Sequence, residues 1–70
     1  PPEKILKQII VDTIKEVADV SLELSEIEIG RGNARLKTKP IKKTKILIKK
    51  EKILEALTQK LGKKSPRDLI

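Results

Sequence analysis

The absence of every aromatic residue is the feature that most limits how this chain can fold. Among its 70 residues there is no Phe, Tyr, Trp, Met or Cys, so the hydrophobic residues are 11 Ile, 9 Leu, 3 Val and 3 Ala. A core made of these side chains must bury most of them, because ordering each residue costs on the order of 1.5 kcal/mol. We therefore expect one small domain that is partly stabilised by a partner.

The same absences exclude whole classes of function. Without Cys or His the chain has no disulfide framework, zinc finger, thiol or imidazole catalyst, or usual iron–sulfur or haem ligand. Without aromatic rings it cannot stack nucleobases in the usual way, so nucleic-acid binding has to depend on charge and shape. We expect a binding protein, not an enzyme, with no cofactor, metal or small-molecule substrate.

Composition also bears on source and location. Charged residues make up 39% of the chain and Asn plus Gln only three positions, which is typical of proteins from hot environments. No stretch approaches the roughly 18 consecutive apolar residues of a membrane span, and no secretory signal is evident. We therefore expect a thermophilic, cytoplasmic protein that lies off the membrane, with Pro1 exposed by removal of an initiator Met.

Charge is distributed very unevenly along the chain. Residues 1–29 carry three basic and seven acidic side chains, whereas residues 30–70 carry fourteen basic and three acidic ones, for net charges of −4 and +11. Only three of the 17 basic residues are Arg, which favours point contacts with phosphates over bidentate contacts with base edges. A solvated surface explains any single lysine cluster, but an asymmetry of this size indicates a nucleic-acid backbone as partner.

The N-terminal half changes its hydrophobic period once. Apolar residues at helical spacing predict a helix over residues 3–18, begun by Pro1 and Pro2. Its acidic residues are a candidate surface for neighbouring proteins. Apolar and polar residues then alternate over 20–24 and 26–29, which predicts strands interrupted by a turn or bulge at Ser25–Glu26.

A hairpin is predicted where glycines interrupt the strands. Residues 30–33 (Gly-Arg-Gly-Asn) suit a turn with positive φ, and a phosphate cradle is the weaker alternative because the other glycines of such motifs are missing. The second strand is predicted over 34–39. Glu26 and Glu28 are expected to pair across the strands with Arg35 or Lys37, an acid–base role being the minor alternative.

The remaining segments complete an α+β fold. Alternation over 44–49 predicts a third strand, and an apolar stripe over 51–61 predicts a helix that Gly62 ends. A truncated helix-turn-helix is disfavoured because too few residues follow Pro66 for a second helix. The expected architecture is helix, two- to three-stranded antiparallel sheet, helix, with both helices on one sheet face; residues 1–61 form a single domain and 62–70 a basic C-terminal tail.

In this architecture the open sheet face would be wholly basic and would present Arg35, Lys37, Lys39, Lys45 and Lys49. The predicted RNA-binding residues extend this set into the turn, loops and tail: Arg31, Arg35, Lys37, Lys39, Lys42, Lys43, Lys45, Lys49, Lys50, Lys63, Lys64 and Arg67.

Part of the chain resembles a known family. The resemblance covers residues 27–61 and rests on Thr44-Lys45-Ile46-Leu47-Ile48 followed by Glu55, Leu57, Gln59 and Leu61. These residues are similar to the large-subunit ribosomal protein family thirty-eight of eukaryotes and archaea. The resemblance implies a small basic fold of helix, three strands and helix, with Ile46–Ile48 as the third strand and Leu57–Leu61 in the last helix.

The resemblance further implies that Arg35, Lys37 and Lys39 lie on the strand that meets ribosomal RNA. The segment Lys39–Lys43 departs from the family pattern, so another small archaeal ribosomal protein of similar build is an alternative. We therefore expect a component of the large ribosomal subunit that binds ribosomal RNA. A nucleoid or regulatory protein that binds duplex DNA is the second hypothesis, and a protein-interaction module the third.

Overall fold

The structure, a computed structural model, describes residues 2–70 and has an α+β fold, as the sequence predicted. Pro1, one of the two prolines predicted to begin the first helix, lies outside these residues. Two short 3₁₀ turns at Leu24–Glu26 and Gly62–Lys64 accompany the main elements. In chain order the main elements are α1 (Glu3–Ala18), β1 (Ile27–Gly30), β2 (Asn33–Leu36), α2 (Pro40–Ile48), α3 (Lys50–Leu61) and β3 (Asp68–Leu69).

Helix α1 has the limits that its apolar spacing predicted. Ile10 and Ile14 are fully buried on its inner side. The helix ends because Asp19 adopts a left-handed conformation with φ of 55°, and its backbone N–H donates to Lys15 O at 3.1 Å. The Lys15 ammonium also lies 2.9 Å from the Asp19 carboxylate, beside the negative end of the helix dipole.

The strand predicted over 20–24 does not form. Val20 and Leu22 are buried while Ser21 and Glu23 are exposed, so the alternation of burial is present without pairing to a neighbouring strand. The turn predicted at Ser25–Glu26 is confirmed as a 3₁₀ turn. Glu26 stabilises this turn by accepting a hydrogen bond from the backbone N–H of Glu23 at 2.9 Å.

The predicted β1–β2 hairpin is confirmed. Arg31 and Gly32 both have positive φ, at 53° and 80°, as a two-residue turn between twisted strands requires. The hairpin alternative therefore accounts for the glycines, not a phosphate cradle. Strand β2 ends at Leu36, three residues earlier than predicted, although Lys37 N–H still donates to Glu26 O at 2.7 Å.

The prediction of a third strand over 44–49 is wrong, because residues 44–48 belong to α2. Pro40 occupies the first helical turn, where its missing N–H costs nothing, and the lysines that follow have good helix propensity. A strand would place Ile46 and Ile48 on one face, yet Ile46 is fully buried and Ile48 is 74% exposed. The element that the ribosomal resemblance implied here is therefore absent.

Helix α3 matches the predicted C-terminal helix. Ile53 and Leu57 are fully buried at an i, i+4 spacing, and Gly62 ends the helix with φ of 59°. Lys49 is the single residue between α2 and α3, so the two helices form a tight junction.

Residues 62–70, expected to be a tail, instead complete the sheet. Strand β3 pairs in parallel with β2, and the order β1-β2-β3 makes the sheet mixed, not wholly antiparallel. Leu36 N–H donates to Ile70 O at 2.7 Å, and Arg67 N–H donates to Gly32 O at 2.7 Å. Leu69 is 1% exposed and belongs to the core.

One aliphatic core joins the sheet to the helices. The inner sheet residues Ile27, Ala34 and Leu36 belong to the same buried cluster as residues of all three helices. Their strand neighbours Glu28 and Arg35 are exposed. The helices therefore cover one face of the sheet, as predicted, and leave the other face open.

Two lysines attach α3 to the rest of the fold. The Lys60 ammonium donates to the hydroxyl of buried Thr13 at 2.9 Å and to the Glu16 carboxylate at 2.6 Å, which links α3 to α1. The Lys50 ammonium lies 2.6 Å from the Asp68 carboxylate and links the start of α3 to β3. The hydrogen bond from Lys50 lowers the pKa of Asp68, assisted by the backbone N–H of Leu69, while partial desolvation opposes the shift.

Truncation of Leu69 tests whether the C-terminal segment belongs to the core. We expect Leu69→Ala to lower the free energy of unfolding by about 2–4 kcal/mol, because it leaves a cavity beside β2. Ile70→Ala is the matched control, since Ile70 is 45% exposed, and should change it by less than about 1 kcal/mol. Urea unfolding of both variants measures the difference, and equal values for the two would contradict the packing of β3.

The Lys50–Asp68 pair predicts part of the acid sensitivity. Since the folded pKa of Asp68 lies below its ordinary value of 3.8, the pair stabilises the fold above that pH and loses this effect as pH falls through the folded pKa. Unfolding measured from about pH 5 to pH 2.5 should therefore show a smaller acid loss in Asp68→Asn than in the parent. Lys50→Met, which removes the partner cation and leaves Asp68 in place, should reduce the acid loss in the same direction.

Candidate nucleic-acid interface

Most of the basic side chains have no carboxylate partner. Within residues 2–70, six of the 17 lie within 4.0 Å of a carboxylate. These six are Lys7, Lys15, Arg35, Lys37, Lys50 and Lys60. The other eleven leave a large positive charge that the chain itself does not neutralise.

The acidic residues of α1 are largely used inside the chain. Glu3 pairs with Lys7, Glu16 with Lys60 and Asp19 with Lys15. The hydrogen bond from Lys15 and its positive charge lower the pKa of Asp19. The acidic helix surface predicted for protein partners is thus partly neutralised before any partner arrives.

The open sheet face is not wholly basic, which corrects the predicted site. Glu28 lies opposite Arg35 in the strand register, and its carboxylate is 3.5 Å from the guanidinium of Arg35 and 3.9 Å from the ammonium of Lys37. The predicted pairing of Glu28 is therefore confirmed. Lys45 and Lys49 are not on this face at all, because α2 and its junction with α3 replace the third strand.

Glu26 has a different role from the predicted cross-strand pairing. Its carboxylate accepts hydrogen bonds from the Glu23 backbone N–H and from the Thr38 hydroxyl, the latter at 2.5 Å. These two bonds lower the pKa of Glu26, with smaller contributions from the charges of Lys42 and Lys39. Glu26 therefore fixes the connection before β1 to the segment that follows β2.

The lysines at the beginning of α2 are partly engaged. Lys42 is half-buried and its ammonium donates to Ser21 O at 3.1 Å, while Lys39 lies close enough to Glu26 to influence its pKa. Lys43 is also half-buried. These predicted site residues have less freedom to meet a partner than the lysines further along the chain.

A second group of predicted residues lies at the hairpin turn and the C-terminal segment. Lys63, Lys64 and Arg67 line a cavity of about 380 Å³ whose inner wall includes Leu6 and Ile10. The guanidinium of Arg67 donates to Arg31 O at 3.2 Å and covers Gly32, where an added Cβ would lie 2.5 Å from it. The pairing of β3 with β2 holds this group beside the hairpin turn.

The third group surrounds the α2–α3 junction. Lys45, Lys49 and Lys52 are all exposed, and no carboxylate of residues 2–70 lies within 4.0 Å of their ammonium groups. Lys45 is one helical turn from Lys49, and Lys49 shares a surface cavity of about 470 Å³ with Lys52. Among residues 2–70, Glu51 is the one carboxylate lining that cavity.

Two features of this surface escaped prediction. Lys52 belongs to the same run of lysines but was not among the predicted site residues. Ile41 and Ile48 are 67% and 74% exposed on α2. A helical interpretation of residues 40–48 would have revealed them, because their i, i+7 spacing places both on one side of a helix. We call the set Ile41, Lys45, Ile48, Lys49 and Lys52 the α2–α3 surface.

Among residues 2–70 no helix is both long and apolar enough to cross a membrane. Over the same part of the chain, acidic side chains do not gather into a cluster that would hold a metal ion.

Comparison with known proteins gave no further guide to this surface. No protein-family model, curated protein or solved structure matched the chain.

Proposed function

We propose that this chain binds the phosphate backbone of RNA through the α2–α3 surface. The observation that carries the proposal is the grouping of Lys45, Lys49 and Lys52, which are exposed and unpaired around a junction of one residue. Flexible ammonium groups make point contacts with phosphates, and each contact releases a condensed counterion. A binding surface of this kind recognises the charge and shape of the backbone more than the base sequence.

The fold supports the proposal by holding these lysines in a fixed arrangement. Ile46 and Ile53, on the inner sides of α2 and α3, are fully buried. Lys50 is engaged by Asp68, so it anchors the start of α3 and leaves Lys49 and Lys52 to face solvent. Because little reorganisation is needed on binding, more of the electrostatic attraction contributes to affinity.

Ribosomal RNA of the large subunit is the specific partner that we propose. The small size, the net charge of +7 and the lysine-rich composition support it. Since α2 stands where the family resemblance implied a strand, the proposal depends on charge and exposure, not on that resemblance.

Removal of three lysines tests the position of the site. We expect Lys45→Ala/Lys49→Ala/Lys52→Ala to weaken binding of a single-stranded RNA of about ten nucleotides by roughly a hundredfold at about 0.1 M salt. The slope of log affinity against log salt should become shallower by about 2, because three phosphate contacts are lost. Fluorescence anisotropy over a salt series measures both quantities.

The control removes the same charge elsewhere. Lys4→Ala/Lys63→Ala/Lys64→Ala also deletes three exposed ammonium groups, but none of them belongs to the α2–α3 surface. It should retain most of the affinity and slope. Equal losses in the two triple variants would mean that net charge, not this surface, determines binding.

Sedimentation tests the proposed ribosomal partner. The protein should migrate with large ribosomal subunits in a sucrose gradient at low salt and leave them at high salt, as expected for phosphate contacts. Treatment with RNase should release it, whereas treatment with DNase should not. Release by DNase alone would assign the chain to duplex DNA and contradict the proposal.

A further inference from the structure

Two isoleucines of helix α2 lie outside the hydrophobic core. Ile41 and Ile48 are 67% and 74% exposed, whereas Ile46 on the opposite side of the same helix is fully buried. Their seven-residue separation places them on one side of α2, about 10.5 Å apart along the axis. Lys45 lies between them, one turn from each, and Lys49 follows Ile48 directly.

Exposure of these side chains is notable because large apolar residues are the chain's main means of stabilising its fold. Among the described residues only four large hydrophobic side chains are exposed, and two of them are Ile41 and Ile48. Of the other two, Ile5 lies on α1 and Ile70 follows β3. An apolar pair with lysines beside it offers a partner both apolar and electrostatic contacts.

The charge around the pair restricts what can cover it. A second copy of the chain, docked through the same face, would bring Lys45 and Lys49 of both copies together and would be opposed by their repulsion. A partner must instead present negative charge at the lysines and apolar surface at the isoleucines. Nucleic acid combines both, since its phosphates are anionic and the faces of its bases are apolar.

The isoleucines also distinguish between forms of nucleic acid. In a duplex the base faces are stacked inside, and the backbone presents phosphates and sugars that would leave Ile41 and Ile48 without an apolar partner. In a single strand the base faces are accessible, and splayed bases in loops and bulges are the usual targets of RNA-binding proteins. The chain has no aromatic ring to stack on these faces, but aliphatic side chains can cover them by apolar contact. Such contact does not select one base, because every base has an apolar face.

We propose that the α2–α3 surface binds unpaired nucleotides, with base faces packed on Ile41 and Ile48 and phosphates held by Lys45, Lys49 and Lys52. This inference rests on the proposed RNA-binding function and adds the class of RNA, namely single-stranded loops, bulges or ends. Binding then has two contributions. Salt weakens the electrostatic contribution of the lysines but not the apolar contribution of the isoleucines.

The test removes the apolar contacts and keeps every charge. Ile41→Ala/Ile48→Ala is compared with the parent on a single-stranded RNA of about ten nucleotides over a salt series. We expect a loss of affinity of about tenfold with an unchanged salt slope, because about two side chains of apolar contact are lost and no phosphate contact is. The fold should be retained, since both positions are exposed and Ala has a higher helix propensity than Ile.

Two controls accompany this variant. Ile5→Ala removes an isoleucine that is 52% exposed on α1 and should bind as the parent does. A blunt duplex RNA of about ten base pairs, although it carries more phosphates, should bind the parent more weakly than the single strand, and the double variant should lose most of this preference. The single variants Ile41→Ala and Ile48→Ala, with helix content followed by circular dichroism, separate a local loss of contact from a loss of structure.

The outcomes separate this inference from the function on which it rests. If the parent binds no RNA, the proposed function fails. If RNA binding depends on Lys45, Lys49 and Lys52 while Ile41→Ala/Ile48→Ala binds single strands and duplex as the parent does, only this inference is overturned. It is also overturned if poly-glutamate binds as tightly as RNA with the same dependence on the isoleucines, because the partner would then be an acidic protein segment.

Discussion

The inner sides of α2 and α3 bury Ile46 and Ile53 completely, and this burial determines which side chains the two helices expose. Without aromatic side chains, the chain must bring aliphatic residues from every element into one core. Once Ile46 faces inward, the helical period leaves Ile41, Lys45 and Ile48 outside the core. Lys49 lies just past the end of α2 and is exposed at the junction with α3. The same packing that stabilises the domain therefore presents its unpaired cations.

The sequence was sufficient to predict an element of the fold wherever its signal was local and strong. Helix α1 follows from the repeated apolar spacing that buries Ile10 and Ile14, and the hairpin follows from the glycines that flank Arg31. Segment 40–49 was different, because its isoleucines alternate over a short stretch and satisfy the strand period as well as part of the helical one. Pro40 and the lysines of this segment favour a helix, whereas the alternation of its isoleucines favours a strand.

Error in that one segment also misplaced the candidate site. Lys45 and Lys49 were assigned to a sheet face because the third strand was assigned there, although their exposure and positive charge were correctly anticipated. Strand β3 could not be predicted from its two residues, since its pairing with β2 is non-local. Its position depends on Leu69 entering the core and on Asp68 meeting Lys50, and neither contact has a local sequence signal.

The uneven charge of the sequence becomes a local property of the folded molecule because the carboxylates are not placed at random. Glu28 partly neutralises the open sheet face. Glu16 pairs with Lys60 at the end of α3, and Asp68 pairs with Lys50 at the start of α3. Each of these pairs also connects two elements of the fold. The outer side of the α2–α3 junction receives little such compensation, with Glu51 as the nearby carboxylate in its cavity. An anionic partner gains most by binding where the protein has not already neutralised itself, and at this place it also meets apolar surface that the core leaves uncovered.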